Sequence, residues 1–419
     1  MDVLYARCAG LDVHKDSVMA CARLATGRTV ERARATFGTT TRELLRLLEW
    51  LQQHGVTQVA MEATGVYWKP VWHVLVGHVS LLLGKASEIK QVPGRKSDVK
   101  DAEWIADLLA HGLIRASFVP PEPIQALRDL TRTRRQLSGE RTQHVQRIQK
   151  VLEDANVKLA SVLTDILGAS GRAMLEALSR GEQDPERVAA LAHRRVRASA
   201  TELVAALEGT LRDHHRFLLR LHLRQIDALD AAIATLEARV EECLRPFAAI
   251  VRRLKTIPGV SDVVAAVLIA EIGADMSVFP TAAQLVSWAC LSPRLDGSAG
   301  KRRSTRTRKG QWLKPILIQA AWAGVRAKRG SKAQTYLHAQ FHRIRARRGA
   351  KKAIVAVAAS LLTAAYHMLK TDTDYQDLGG EYFQRRQGKD VAFRLKQRLE
   401  QMGYSVQLTT AAQPPVVSI

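Results

Sequence analysis

The sequence predicts a chain of two characters: a mixed α/β domain first, then a long helical spacer leading into a mostly α-helical last domain. Three observations predict it. Short alternating apolar runs crowd residues 8–83, whereas helical periodicity fills 124–167 and 186–248. Pro120, Pro121 and Pro123 punctuate the passage from one regime to the other. Length agrees, since 419 residues at roughly 150 per domain make two or three domains. The expected boundaries are 1–120, 121–249 for the spacer, 250–385 for the last domain, and 386–419 for a C-terminal tail.

In the first domain, residues 9–14, 18–24 and 29–37 read as strands, the last two separated by a turn at Gly27. Residues 39–54 form an amphipathic helix, with Leu44, Leu45, Leu47, Leu48 and Leu51 as its apolar stripe and Gly55 as its stop. Residues 56–61 are a strand that delivers Glu62 at its end. A helix at 67–76 is closed by Gly77, and 80–83 is another strand. A polar, basic stretch at 85–100 precedes a helix that starts at Ser97 or Asp98 and reaches Ala110. Three antiparallel strands, a helix, then strand, helix, strand, helix is the order of a ribonuclease-H-like fold.

The acids stand at the ends of these elements. Asp12 lies in an apolar strand, Glu62 ends another, and Asp98 and Asp101 share one face at a helix start. Four carboxylates brought together repel strongly unless a hard cation sits among them, and oxygen ligands suit Mg2+ or Mn2+. Two such ions activate a nucleophile and stabilise a leaving oxygen at phosphorus. Each acid alone has an ordinary explanation. Asp12 would cap a turn, Glu62 would be a surface acid, and Asp98 and Asp101 would be first-turn acids favoured by the helix dipole. Their joint placement favours a metal site. Asp107, farther along the same helix, is the substitute should one assignment fail, whereas Glu103 points elsewhere.

The spacer carries a heptad seam. Ile226, Leu229, Ile233, Leu236 and Val240 are spaced 3-4-3-4, which suits a helical hairpin within the chain or a coiled coil between subunits. Arg132, Arg134, Arg135, Arg141, Arg147 and Lys150 give the first spacer helix a cationic character that fits either a phosphate backbone or a solvated face. His214, His215 and His222 read as polar surface, because no cysteine or cluster of acids completes a ligand set.

In the last domain, Ile257-Pro258-Gly259-Val260 leads into an apolar helix at 263–272. The arrangement resembles a helix-hairpin-helix element, whose turn amides hold phosphate without reading sequence. Ser261 replaces its usual second glycine, and a purely structural turn explains it equally well. Residues 292–310 then bring seven basic residues and one acid: Arg294, Lys301, Arg302, Arg303, Arg306, Arg308 and Lys309 against Asp296. Residues 326–352 add ten basic residues and no acid. Two such stretches around one helix make a phosphate-binding surface. Ser298 has small neighbours and nearby cations, yet it is one hydroxyl among several, with Ser292, Ser304, Thr305 and Thr307 close in sequence.

Composition narrows the function class. Lys and Arg number 63 against 40 Asp and Glu, a net charge of +23, which points to a polyanion such as nucleic acid. Hydrophobic residues at 47% exclude a wholly disordered polycation. Cys8, Cys21, Cys243 and Cys290 are too widely separated for a zinc knuckle or a disulfide scaffold, and they read as small hydrophobes in a reducing compartment. The N-terminus has no apolar leader, and the uncharged run at 354–369 is 16 residues, short of a comfortable span; a cytoplasmic protein without a membrane partner is expected.

Taken together, these motifs resemble the DEDD-type insertion-sequence transposases, the insertion sequence 110 family, which includes the Piv-like invertases. The resemblance rests on Gly-Leu-Asp-Val-His-Lys at 10–15, Met-Glu-Ala-Thr-Gly-Val-Tyr at 61–67 and Ser-Asp-Val-Lys-Asp-Ala at 97–102. In the last domain it rests on Ile-Pro-Gly-Val at 257–260, Ala-Glu-Ile-Gly at 270–273, Leu-Ser-Pro at 291–293, Ser-Ala-Gly-Lys at 298–301 and Arg-Lys-Gly at 308–310. It implies a RuvC-like first domain whose metal-binding acids are Asp12, Glu62, Asp98 and Asp101, with Ser298 as a nucleophile that forms a covalent phosphoserine link to DNA. Thr305 stands where glycine is common after the serine, which leaves Ser304 as a rival. The resemblance further implies double-stranded DNA at element ends and target, a structured guide RNA, and homodimers assembling to tetramers. The setting it implies is the nucleoid of a bacterial cytoplasm. The other reading of the acids is a metal-dependent Holliday-junction resolvase or nuclease with water as nucleophile.

Overall fold

The computed structural model describes residues 3–27, 29–63, 65–89, 101–293, 297–298, 301–302, 307–329 and 333–407. The chain divides into two compact units, Met1–Val119 and Pro120–Ile419.

The first unit is built on one five-stranded sheet. Its strands are β1 (Arg7–Val13), β2 (Ser17–Thr26), β3 (Thr29–Gly38), β4 (Gln58–Glu62) and β5 (Ser80–Gly84), in the order β3-β2-β1-β4-β5. The first three are antiparallel hairpin neighbours, while β4 runs parallel to β1 and β5 parallel to β4. Its helices are α1 (Thr41–Gln53), α2 (Trp68–Leu75), α3 (Ala86–Ile89) and α4 (Asp101–Ala110). The expected order of elements is therefore present, within the mixed β-sheet domain with flanking helices that the structure forms.

Alternation along β1 sorts its side chains onto two faces. Ala9, Leu11 and Val13 enter a core with Leu44, Leu47, Leu48 and Leu51 of α1 and Val71 and Leu75 of α2. Cys8 faces the other way, into a core with Ile105, Leu108 and Leu109 of α4. Burial pushes the thiols of Cys8 and Cys21 up to about 11, so both behave as small hydrophobes. Gly10 lies between them on the α4 face. A Cβ there would sit 2.2 Å from the Ala102 carbonyl oxygen and 2.4 Å from the Ala106 nitrogen, so the helix backbone rests directly on this glycine.

The second unit is mostly helical. Two long helices, α5 (Glu122–Asp154) and α10 (Asp213–Leu244), form an antiparallel hairpin. Between them lie α6 (Leu159–Val162), α7 (Ala169–Arg180), α8 (Pro185–Ala189) and α9 (Ala200–Leu207), which bury Met174, Leu175, Leu178, Leu203 and Leu207 against Ile148, Leu152, Leu219, Leu223 and Ile226 at one end of the hairpin. The helical pattern read across 186–248 is thus three helices. Ser199 starts α9 with a capping box to Glu202, and Gly209 turns the chain where a Cβ would meet the Ala155 carbonyl at 2.5 Å. The seam faces within the chain: Ile226 and Val240 are buried and Leu229, Ile233 and Leu236 half-buried.

Beyond the hairpin come α11 (Ala248–Leu254), α12 (Asp262–Ile272), α13 (Ala282–Trp288), the short strands β6 (Gly297–Ser298) and β7 (Lys301–Arg302), and α14 (Leu313–Arg326). After β8 (Lys328–Arg329) and β9 (Ala333–Gln334), α15 (Tyr336–Arg348), α16 (Ala350–Thr371) and α17 (Tyr382–Gln401) complete the chain. The Pro258-Gly259 turn between α11 and α12 is packed rather than open. Gly259 has φ +90°, and a Cβ there would lie 2.2 Å from the Ala320 carbonyl of α14. Helix α16 is long and apolar enough to cross a membrane by length and composition. Half of it is buried inside the second unit, where the Tyr366 hydroxyl donates to the Phe279 carbonyl at 2.9 Å.

Candidate active site

Strand register brings two of the four expected acids to neighbouring places. β1 and β4 are parallel and paired through Leu11 and Met61, so Asp12 and Glu62 are the next residues on adjacent strands at the same sheet edge. Alternation puts both on the face covered by α4. The Asp12 carboxylate is one-fifth exposed and accepts a hydrogen bond from His14 Nε2 at 3.0 Å. Helix α4 runs antiparallel to β1: Cys8 Sγ meets the Ala106 carbonyl, and Gly10 meets Ala102. Asp101 is the first residue of that helix. Asp98 lies outside the described residues. Carboxylate oxygens suit Mg2+ or Mn2+, but Asp12, Glu62 and Asp101 do not bring their ligand atoms within 4.8 Å of one another.

The orientation of α4 is held by contacts that no local pattern discloses. Asp107 accepts from Arg23 Nε of β2 at 3.0 Å and from Arg32 Nη2 of β3 at 3.1 Å. Glu103 accepts from Arg34 Nε at 2.5 Å. Asp107 is therefore not a spare ligand: it is half of an ion pair whose guanidinium, Arg23, is only 5% exposed. Glu103 does point elsewhere, towards β3.

In the second unit, β6 and β7 pair as a small antiparallel ladder in which Ser298 faces Lys301 and Gly297 faces Arg302. A bridge between Pro293 and Thr307 closes the neck of this segment. Arg294, Arg303, Ser304 and Arg306 lie outside the described residues, and Arg308 and Lys309 are exposed just past the neck. Lys314 Nζ, on the first turn of α14, donates to Thr307 Oγ1 at 2.5 Å and to the Arg308 carbonyl at 2.6 Å.

Of the α5 cations singled out in sequence, Arg132, Arg134, Arg135 and Arg141 tie that helix to its neighbours, whereas Arg147 and Lys150 are exposed. Arg132 grips Glu271 of α12 through two bonds of 2.8 Å, and Arg128 donates to the Ala270 and Glu271 carbonyls at 2.9 and 2.8 Å. Arg134 pairs with Glu237, and Arg141 with Asp230, across the hairpin. Arg135 donates to the carbonyls of Gln311 and Trp312 at 2.6 and 2.8 Å. Arg132, Arg134 and Arg135 also line a cavity of about 950 Å³ floored by Val240, Val263 and Ile316.

Sequence reasoning missed one group. Asp154 ends α5 beside His214 and His215 of α10, and one ligand atom from each lies within 4.8 Å of the others, so the three could hold a divalent ion. It is the one group of three or more such residues meeting that distance among the described residues, and two nitrogens with one oxygen suit a zinc-like ion better than Mg2+. Both ring nitrogens of His215 are engaged. Nδ1 accepts from the Arg212 backbone at 3.2 Å, so Nε2 carries the proton that faces Asp154 at 2.8 Å. The His215 imidazole beside Asp154 holds that carboxyl below its usual range. A metal would have to displace that proton, and the His215–Asp154 bond ties the end of α5 to the start of α10.

Comparison with protein families now adds to this geometry. A family model of the DEDD IS110 type, described as "Transposase", matches residues 9–157, which span β1 to the end of α5. A second, "Transposase IS116/IS110/IS902 family", matches residues 251–338, which span α11 to the start of α15 and include Ser298. A comparison with curated proteins finds no match.

Proposed function

We propose a serine recombination mechanism for this chain, which carries IS110-family transposase domains in both of its units and is therefore a DNA-modifying enzyme. Its task on this reading is to excise and insert an insertion sequence. The observation that carries the reading is the hairpin-like ladder that sets Ser298 opposite Lys301, inside a stretch of seven cations and one acid. A hydroxyl on a cationic arm is a nucleophile brought to a phosphate, where nearby positive charge stabilises the extra negative charge of the transition state.

The Ser298 oxygen would attack a DNA phosphorus, forming the Ser–O–P bond as the bond to the leaving deoxyribose oxygen breaks. The serine proton would pass to a neighbouring carboxylate or water, and the leaving oxygen would take up a proton. Because one phosphodiester replaces another, rejoining needs no outside energy source. Asp12, Glu62, Asp98 and Asp101 would hold Mg2+ or Mn2+, which when bound supplies Lewis acidity at the phosphate. The sheet order β3-β2-β1-β4-β5, with acids at the ends of β1 and β4, supports a ribonuclease-H-like, RuvC-like first domain. Residues 121–249 would be the spacer and 250–385 the serine-bearing domain. Arg294, Lys301, Arg302, Arg303, Arg306, Arg308 and Lys309 would line the DNA, and the net charge of +23 leaves room for a structured guide RNA as a second polyanion. Homodimers assembling to tetramers, in a bacterial cytoplasm and away from membranes, complete the proposal.

Purified protein with Mg2+, element-end DNA and any co-purifying RNA is expected to yield serine-linked DNA, and Ser298→Ala to abolish it. Persistence of the adduct in Ser298→Ala but not in Ser304→Ala would move the role to Ser304. Hydrolysis without any adduct would replace the recombinase by a resolvase that uses water.

A further inference from the structure

We propose that Lys314, with Arg135 behind it, is a positioning residue that fixes the base of the serine-bearing segment on the helical spacer. The inference rests on the reading of Ser298 as nucleophile, and it assigns a role to two residues outside the cationic stretch.

The argument begins with a cation in an unfavourable place. Lys314 is the second residue of α14, where the helix dipole disfavours positive charge, and among the described residues its recorded partners are a hydroxyl and a carbonyl rather than a carboxylate. It is half-buried, and burial pushes its ammonium below the usual lysine range. An ammonium kept there against dipole and desolvation is retained for what it holds. It holds Thr307 by the hydroxyl and Arg308 by the carbonyl. Thr307 is the residue bridged to Pro293, so these bonds clamp the point at which the chain bearing Ser298 closes on itself.

The clamp is braced from outside. Gly310 leaves room for the Lys314 stem, since a Cβ there would lie 3.0 Å from Lys314 Cβ. Next along the chain, Gln311 and Trp312 present their carbonyls to Arg135, and the Trp312 ring lies under the guanidiniums of Arg132 and Arg135 at 4.9 and 5.8 Å. Arg132 is locked in turn by its two bonds to the buried Glu271. From Glu271 through Arg132, Trp312 and Arg135 to Lys314 and Thr307, the base of the segment is tied to α5 and α12, both long or fully packed elements. A nucleophile on a short arm needs such a fixed base, because a misplacement of about 1 Å can cost about a hundredfold in rate.

The test uses the full-length protein and three measurements: adduct formation at saturating DNA, DNA affinity, and tryptic cleavage at the Arg and Lys sites of residues 294–309. Lys314→Met is expected to slow adduct formation by about a hundredfold and to speed cleavage of the segment, with affinity within about twofold. Lys314→Arg, which keeps donors for the hydroxyl and the carbonyl, is expected to restore both. Thr307→Val removes the same bond from the other side and covers the case in which Lys314→Met fails to fold. Unchanged cleavage in both Lys314→Met and Thr307→Val overturns the proposal, as does a loss confined to DNA affinity, which would make Lys314 a phosphate ligand. The cleavage measurement needs no chemistry, so it still tests the anchor if Ser298→Ala shows that the nucleophile lies elsewhere.

Discussion

Asp101 and Asp107 stand on the same face-to-sheet helix and do different work. Asp101 opens α4, while Asp107 is drawn to Arg23 and Arg32, whose places in the chain are 84 and 75 residues away. Sequence reading saw both as acids of one helix and held Asp107 in reserve, because nothing local announces a partner that far off. Asp154 escaped for the same reason: His215, its partner, is 61 residues away. By contrast, Asp12 and Glu62 were legible, since an acid that ends an apolar strand is conspicuous within a few residues. The two kinds of acid should separate on substitution. Asp107→Asn leaves Arg23 buried without its full counter-charge and is expected to cost about 2 kcal/mol in equilibrium urea unfolding, with DNA cleavage in Mg2+ retained. Asp12→Asn is expected to do the reverse, keeping stability while cleavage falls below detection. An Asp107→Asn protein that is fully stable yet inactive would return Asp107 to the site.

Elements were most legible where burial imposes a short period. The strands of the first unit and α1 lie within two or three residues of their expected places, because each must bury one face. The breaks in the second unit were less visible. Periodicity runs on through α8, α9 and α10, and what separates them is a local capping box at Ser199 and the close approach of Gly209 to Ala155, of which only the second is tertiary in origin. Gly10 has the same character. A strand reading gives it no special role, but the docked helix requires it. Gly10→Ala would drive a Cβ into the Ala102 carbonyl and the Ala106 nitrogen, so α4 must lift from the sheet. The expected loss is about 3 kcal/mol of stability, the upper range for overpacking. Because α4 carries Asp101, activity should fall further than stability explains when measured well below the unfolding midpoint. Activity proportional to the folded fraction would show that the seating of α4 does not matter to the site.

At the scale of the whole molecule, net charge is a poor guide to which cations are free. The +23 suggested basic surfaces on both the spacer and the last domain, and the structure separates them. On α5, Arg128, Arg132, Arg134, Arg135 and Arg141 are consumed by carboxylates and carbonyls of neighbouring elements, while Arg147 and Lys150 stay exposed. Arg308 and Lys309, past the neck of the serine segment, are exposed and have no ion pair among the described residues. A cation already paired within the protein releases few counterions when DNA arrives, whereas a free one that meets a phosphate releases nearly one. The slope of log affinity against log salt therefore counts the second kind alone. Replacing Arg308 and Lys309 together by glutamine is expected to reduce the magnitude of that slope by about 2. Replacing Arg134 and Arg141 together is expected to leave the slope unchanged and to lower the unfolding midpoint, since both ties across the hairpin are lost. Titrations of element-end DNA between low and physiological salt give both slopes. Equal reductions would mean that the hairpin pairs open to receive DNA, and the cations of α5 would then belong to the interface after all.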